Sequence, residues 1–174
     1  MRYIFYILFF IFFIADKVHG GDKYDQEKLE KAIYNFIKTA PRRPLARNKK
    51  DRIELAAEII EAANRYNLDP YLVLQTAIAE SGLNTDIEGP GGEIGIMQLH
   101  GTALTSCEHD MDTRQGQLLC GARWLRINLD RCGSVIGAIT GYISGSCFAR
   151  TETTQGKVNF RVLEIERIKN EKVL

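Results

Sequence analysis

The chain has 174 residues, which suits one globular domain with an additional segment, because single domains typically run to about 100 to 200 residues. Hydrophobic residues make up 45% and charged residues 26% of it, an ordinary globular composition that excludes a disordered, collagen-like or multispan membrane protein. The net charge is +1, so no global field recruits nucleic acid, and we expect no nucleic-acid partner.

The first segment has the pattern of an export signal. Arg2 is followed by an uninterrupted apolar and aromatic run over residues 3–15 and then by Asp16 and Lys17. A spanning helix needs about 20 apolar residues, whereas the core of a signal peptide has about 7 to 15. We expect residues 1–20 to be a signal peptide of a periplasmic or secreted protein. No A-x-A triplet precedes Gly20, which leaves open a retained membrane anchor.

Residues 21–47 are expected to form an N-terminal amphipathic helix, over 24–39, and a basic linker. A second helix is expected from Asp51, as its N-cap, to about Tyr66. Asp69 and the proline after it predict a third helix that Gly82 ends.

The remaining segments also read as helices and loops. The glycine-rich stretch 82–95 is expected to be a flexible wall beside a binding cleft. A helix that begins at Asp112 is expected to bury a stripe of apolar side chains in the core. Trp124 is also expected to be a core residue. Residues 134–144 and 157–170 complete the helices. The pattern predicts an all-α fold with little or no sheet. The core stripe consists of Leu118, Ala122, Leu125 and Leu129.

Four cysteines, Cys107, Cys120, Cys132 and Cys147, are expected to form two disulfides, as an even count indicates in an exported chain. A zinc site is disfavoured because no two cysteines are closely spaced. On one helix, the Cα atoms of Cys120 and Cys132 would lie about 18 Å apart. A disulfide allows a Cα separation of at most about 6.8 Å. Two connectivities remain, and we favour Cys107–Cys120 with Cys132–Cys147, because each closes a short loop at one end of that helix.

Glu80 is the candidate for acid–base chemistry, because it ends an otherwise apolar helix before the glycine-rich stretch. Partial burial and the negative end of a helix dipole favour a protonated carboxyl, which a general acid needs. Asp86, Glu88 and Glu93 could supply the second carboxylate of an inverting hydrolase, but their position in a glycine-rich loop favours simple solvation. Acyl transfer using histidine bases is disfavoured, because no nucleophile motif accompanies His100 or His109.

Four motifs in order give the site a context: AESGLN at 79–84, GIMQL at 95–99, GARWL at 121–125 and AITGYISG at 138–145. Together they resemble the lytic transglycosylases of the soluble-transglycosylase (SLT), lysozyme-like type, over about residues 50 to 148. The family's asparagine after the tyrosine of the last motif is Ile143 here. The hydrogen bond of that asparagine is therefore missing.

The resemblance implies a lysozyme-like domain over 48–150, followed by a C-terminal helix over 151–174. It makes Glu80 the sole catalytic acid and base and implies no metal or cofactor. Ser81 would support the substrate or a nearby water, Met97 and Gln98 would line the sugar cleft, with Gln98 reading an N-acetyl group, and Tyr142 would orient the Glu80 carboxyl.

The activity implied is cleavage of the β-1,4 bond between N-acetylmuramic acid (MurNAc) and N-acetylglucosamine (GlcNAc), leaving 1,6-anhydroMurNAc ends. The partner would be peptidoglycan glycan strands, and we expect a monomer. Two alternatives remain. One is a muramidase like goose lysozyme, which uses water. The other is a non-catalytic wall-binding or secretion-apparatus subunit, which Ile143 keeps open.

Overall fold

The computed structural model describes residues 22–39 and 48–170, and these form seven α-helices and isolated β-bridges, with no sheet among them. This confirms the expected all-α fold. The expected signal peptide and most of the basic linker lie outside the described residues. No described helix is long and apolar enough to cross a membrane. The helices are α1 (Asp22–Thr39), α2 (Lys49–Arg65), α3 (Pro70–Ser81), α4 (Gly101–Thr105), α5 (Arg114–Cys132), α6 (Val135–Ser144) and α7 (Glu152–Asn170).

The ends of α3 place the candidate acid, and the sequence predicted both. The Asp69 side chain accepts a hydrogen bond from the amide of Tyr71, Pro70 is the first helical residue, and Gly82 ends the helix at φ +65°. The cap expected for α2 was wrong. Asn48 caps that helix through the amide of Asp51, which therefore lies in its first turn.

Three other boundaries differ from expectation. The α4 helix was not predicted, because five residues are too short to show a helical period. The α5 helix begins after an N-cap at Thr113, whose hydroxyl accepts from the amide of Gly116. The α7 helix begins at Glu152, close to the start of the C-terminal helix implied by the resemblance but before the 157–170 span that the pattern indicated, because the Thr151 hydroxyl accepts from the amide of Thr154.

The core is built around α3 and α5. Every residue from Tyr71 to Ala77 is buried, so α3 is enclosed on all sides by α2, α5 and α7. Along α5, Leu118, Ala122 and Leu125 are fully buried and Leu129 is partly buried, as the stripe predicted. Only the C-terminal end of α3, which carries Glu80, leaves the core.

Two disulfides fasten α5 to neighbouring segments, with the expected pairing. Cys107 is bonded to Cys120, with Cα atoms 5.5 Å apart, and Cys132 to Cys147, with Cα atoms 5.3 Å apart. The first ties the chain after α4 to α5. The second ties the end of α5 to the residues just after α6, the helix that carries Tyr142.

Gly121 lets the segment 95–99 pack directly on α5, and its replacement should be costly. A Cβ at this position would lie 2.4 Å from Cγ of Met97, whose side chain is fully buried. We expect Gly121→Ala to lower the free energy of unfolding by about 1 to 3 kcal/mol, because a close-packed core must shift to admit the methyl group.

Urea denaturation measures this change. The matched control is Gly156→Ala on α7, where an added Cβ meets no atom within 4 Å. Alanine has the higher helix propensity, so the control should be as stable as the wild-type protein or more stable. A Gly121→Ala protein with wild-type stability would contradict the packing described.

Candidate active site

A cleft of about 520 Å³ opens at the C-terminal end of α3, a volume within the usual range for ligand sites. Its walls come from α3, the segment from Glu93 to Ala103, α5, α6 and α7. The lining includes the side chains of Glu80, Glu93, Gln98, His100, Trp124, Tyr142, Ile143, Lys157 and Arg161. The cleft therefore gathers Glu80 with residues of the second, third and fourth motifs.

Glu80 is ion-paired with Arg161 across the cleft wall. Its Oε1 accepts a hydrogen bond from Nη2 of Arg161 at 2.8 Å, and the side chains are 21% and 7% exposed respectively. The last turn of α3 contains no basic residue, so the cation facing Glu80 comes from α7. Screening by water is weak for a pair this far buried.

Arg161 was not among the predicted site residues, although its position in α7 carries a signal. Val158, Ile165 and Ile168 are buried along one face of α7, and Arg161 lies on that same face at helical spacing. An arginine at a core position is almost never buried without a partner. The pattern could therefore have shown that a carboxylate elsewhere must meet it.

Tyr142 supports the site in a different way from the one expected. Its hydroxyl donates to the backbone oxygen of Met97 at 2.7 Å, so its proton is not available to orient Glu80. Burial raises the pKa of Tyr142 well above its usual value, the charge of Glu80 raises it further, and Arg161 partly offsets these effects. The phenol therefore stays neutral, and toward Glu80 it can act only as an acceptor.

Ser81 fastens the end of α3 to the segment that follows the glycine-rich stretch. Its Oγ lies 2.8 Å from the backbone oxygen of Ile96 and 3.1 Å from that of Ala77, and it accepts from the amide of Asn84. These contacts use the hydroxyl within the protein. Ser81 does not line the cleft, so its contribution is to hold the residue beside it, Glu80, in place.

Met97 and Gln98 separate into a core residue and a cleft residue. The side chain of Met97 is fully buried against Gly121, so the expectation that it lines the cleft was wrong. Gln98 does line the cleft, and its Nε2 donates to the backbone oxygens of Ile87 and Gly95 at 3.2 and 3.0 Å. Its φ of +47° is unfavourable for a residue with a side chain, and these hydrogen bonds hold it there.

The glycine-rich stretch is not the loosely held wall that its composition suggested. Backbone hydrogen bonds join Ile94 and Leu99 in both directions, at 2.9 and 3.0 Å. From α5, the buried Gln117 accepts from the amide of Ile96 at 2.8 Å and donates to the backbone oxygens of Thr85 and Met111. Gln117 was not among the predicted site residues, since it lies beside the apolar stripe of α5.

One of the three loop carboxylates reaches the cleft. Asp86 and Glu88 are exposed and lie outside it, whereas Glu93 lines it. Oε2 of Glu93 accepts from the amide of Gly91 at 2.8 Å. Backbone hydrogen bonds from Glu93 itself and Gly91 lower the pKa of Glu93, with a smaller effect from His100. Glu93 is therefore ionised near neutral pH.

The two candidate histidines and Trp124 lie in different surroundings. His100 is on the cleft, while His109 pairs with the hydroxyl of Tyr66 at 2.8 Å, outside the cleft. Trp124 was expected in the core, but it is partly buried and also lines the cleft, as does Ile143. No group of three or more metal-binding side chains occurs within 22–39 and 48–170.

Comparisons with known proteins agree with this arrangement. Residues 57–161 match the family model described as the Transglycosylase SLT domain. The chain belongs to the SLT transglycosylase family. The match includes all four motifs and extends past residue 150 to Arg161, the partner of Glu80.

The chain is also 37% identical over 108 residues to a protein of Enterobacteria phage PRD1 named Transglycosylase. That alignment covers 58% of this chain and 40% of the relative, so the SLT chain described here spans well under half the length of that protein.

Proposed function

We propose that this SLT protein is a peptidoglycan lytic transglycosylase that cleaves the β-1,4 bond between MurNAc and GlcNAc, with Glu80 as its acid and base. The observation that carries the proposal is the position of Glu80. It is a part-buried carboxylate at the end of a buried helix, facing a cleft of ligand size. Membership of the SLT family supports the same reaction.

The proposed reaction has two proton transfers through one carboxyl group. Protonated Glu80 gives its proton to the glycosidic oxygen as the bond from that oxygen to C1 of MurNAc breaks. The departing GlcNAc leaves with a hydroxyl group. The Glu80 carboxylate then removes the proton from the 6-hydroxyl of MurNAc as O6 bonds to C1, which closes the 1,6-anhydro ring and restores the acid. No water is consumed.

A single carboxyl group is sufficient for this route. The attacking hydroxyl is already part of the sugar, and well-oriented intramolecular reactions reach effective molarities of about 10⁵ to 10⁸ M. The enzyme therefore has to position only the acid and the sugar ring. The guanidinium of Arg161 contacts Glu80 directly, and the contacts of Ser81 fix the end of the helix that carries it.

Three cleft residues are suited to sugar recognition. Both amide hydrogens of Gln98 point at backbone oxygens, which leaves its Oε1 to accept from the N–H of an acetamido group. Trp124 offers an aromatic surface for the apolar side of a sugar ring. Ile143 contributes an apolar contact where the resembling family has an asparagine, so specificity at that position rests on shape rather than a hydrogen bond.

Glu93 gives the muramidase alternative a specific observation in its favour, since it is a held, ionised carboxylate on the same cleft. An inverting hydrolase needs such a group to deprotonate water. Under our proposal Glu93→Gln should keep most of the activity, as should the exposed control Glu88→Gln. Under the alternative, Glu93→Gln alone should lose about 10²- to 10⁴-fold in rate. The rate of muropeptide release from sacculi measures both variants.

We further propose that the protein acts outside the cytoplasm, in the periplasm or after secretion, as a monomer on glycan strands. Its two disulfides form and persist in an oxidising compartment. Peptidoglycan lies on the same side of the membrane.

Incubation of the purified protein with peptidoglycan sacculi tests the proposed function. We expect soluble muropeptides to accumulate with time. Binding to sacculi without release of any soluble product would instead identify a non-catalytic wall-binding subunit.

A further inference from the structure

Arg161 is a buried cation in the cleft wall. It is 6% exposed, and its Nη2 contacts Glu80 at 2.8 Å. Its Nη1 is buried and has no hydrogen-bond partner. A buried donor of this kind is suited to a hydrogen bond from the cleft side.

We propose that Arg161 is a positioning residue that holds the Glu80 carboxylate in the cleft between the two proton transfers. The inference rests on the proposed acid and base role of Glu80. It makes α7 part of the catalytic apparatus, although that helix lies beyond the last of the four motifs.

The physical argument concerns the two protonation states that the reaction uses. A guanidinium in contact with a carboxylate stabilises the ionised form, and it does so strongly where water is excluded. The ionised form is the state between the two proton transfers. Arg161 therefore stabilises the intermediate stage and disfavours the protonated stage from which the reaction begins.

Other charged and titratable groups also face the cleft. From α6, Tyr142 is neutral because its pKa is raised. Lys157 lies one turn before Arg161 on α7 but is exposed, and Glu93 and His100 come from the segment opposite. Among the cleft-lining residues that are described, Arg161 is the cation that is buried. It should therefore dominate the field at Glu80.

The test is the pH profile of kcat/KM on soluble glycan strands, in which the alkaline limb reports loss of the proton from the essential acid. We expect Arg161→Met to move the midpoint of that limb upward, because the charge that stabilises the carboxylate is gone. Arg161→Lys, which keeps the charge, should leave the midpoint close to wild type. The control is Arg167→Met on the same helix, whose partner is Glu164; it should not move the limb.

A purely structural role would give a different result, namely a loss of rate that is equal at every pH and is not rescued by lysine. That result would overturn the inference while leaving the proposed function intact, since Glu80→Gln would still be inactive.

A second measurement avoids any folding defect in Arg161→Met. In the wild-type protein, the guanidinium nitrogen signals of Arg161 should shift with pH in nuclear magnetic resonance spectra, and this shift should vanish in Glu80→Gln. Signals that respond identically in both proteins would also overturn the inference.

Discussion

Glu80→Gln is expected to fold like the wild-type protein and to lose at least about 100-fold in the rate of peptidoglycan cleavage, the lower end of what general acid–base catalysis contributes. Glutamine keeps the volume of the side chain but has no proton to transfer. Its amide oxygen can still accept from Nη2 of Arg161, which at present donates to Oε1 of Glu80 at 2.8 Å. The guanidinium therefore keeps a hydrogen-bond partner.

The rate of muropeptide release from sacculi measures the loss, and a thermal unfolding curve checks the fold. Glu88→Gln is the matched control, because it makes the same chemical change at an exposed position outside the cleft. It should have wild-type activity. If Glu80→Gln and Glu88→Gln released muropeptides at the same rate, Glu80 would not be the acid.

Replacing Cys132 and Cys147 together by serine is expected to lower the free energy of unfolding by about 3 kcal/mol. The two residues are 15 apart in sequence, and the chain-entropy estimate for closing a loop of that length is of this size. The bond holds the end of α6, so the position of Tyr142 also depends on it.

Urea denaturation without reductant measures the change. The wild-type protein under reducing conditions loses both disulfides, so it should be less stable than the serine variant, which keeps Cys107–Cys120. A serine variant with wild-type stability would show that the packing of α5 against α6 holds this region without the bond.

Much of the fold could be predicted because local signals and tertiary packing agree. The caps of α3 follow from Asp69, Pro70 and Gly82, which act within one turn of the helix. The length of a helix and the reach of a cystine exclude a Cys120–Cys132 bond, and a preference for short loops selects the observed pairing from the two that remain. The position of Glu80 at a helix end follows from the same local rules.

The rest depended on contacts between residues far apart in sequence. Arg161 meets Glu80 only because α7 packs against α3, and nothing near either residue encodes that pairing. Met97 was expected on the cleft but fills the space that Gly121 leaves on α5. Trp124 was expected in the core but also reaches the cleft, because a large aromatic residue can belong to both.

The glycine-rich stretch shows the limit of composition as a guide. Its glycines suggested a loosely held loop and therefore no fixed second carboxylate. The end of that stretch is held by Gln117, which lies well after it in sequence, and by the paired backbone of Ile94 and Leu99. Glu93 lies on the cleft. The case for a transglycosylase therefore rests on the intramolecular route and not on the absence of a second carboxylate.

Digestion of sacculi in water labelled with oxygen-18 tests the central claim most directly. A transglycosylase takes no oxygen from the solvent, so the products should end in 1,6-anhydroMurNAc, be one water lighter than lysozyme products, and carry no label. Parallel digestion with a lysozyme provides the labelled reference. Reducing-end MurNAc that carries oxygen-18 as the main product would contradict the account and identify the protein as a muramidase.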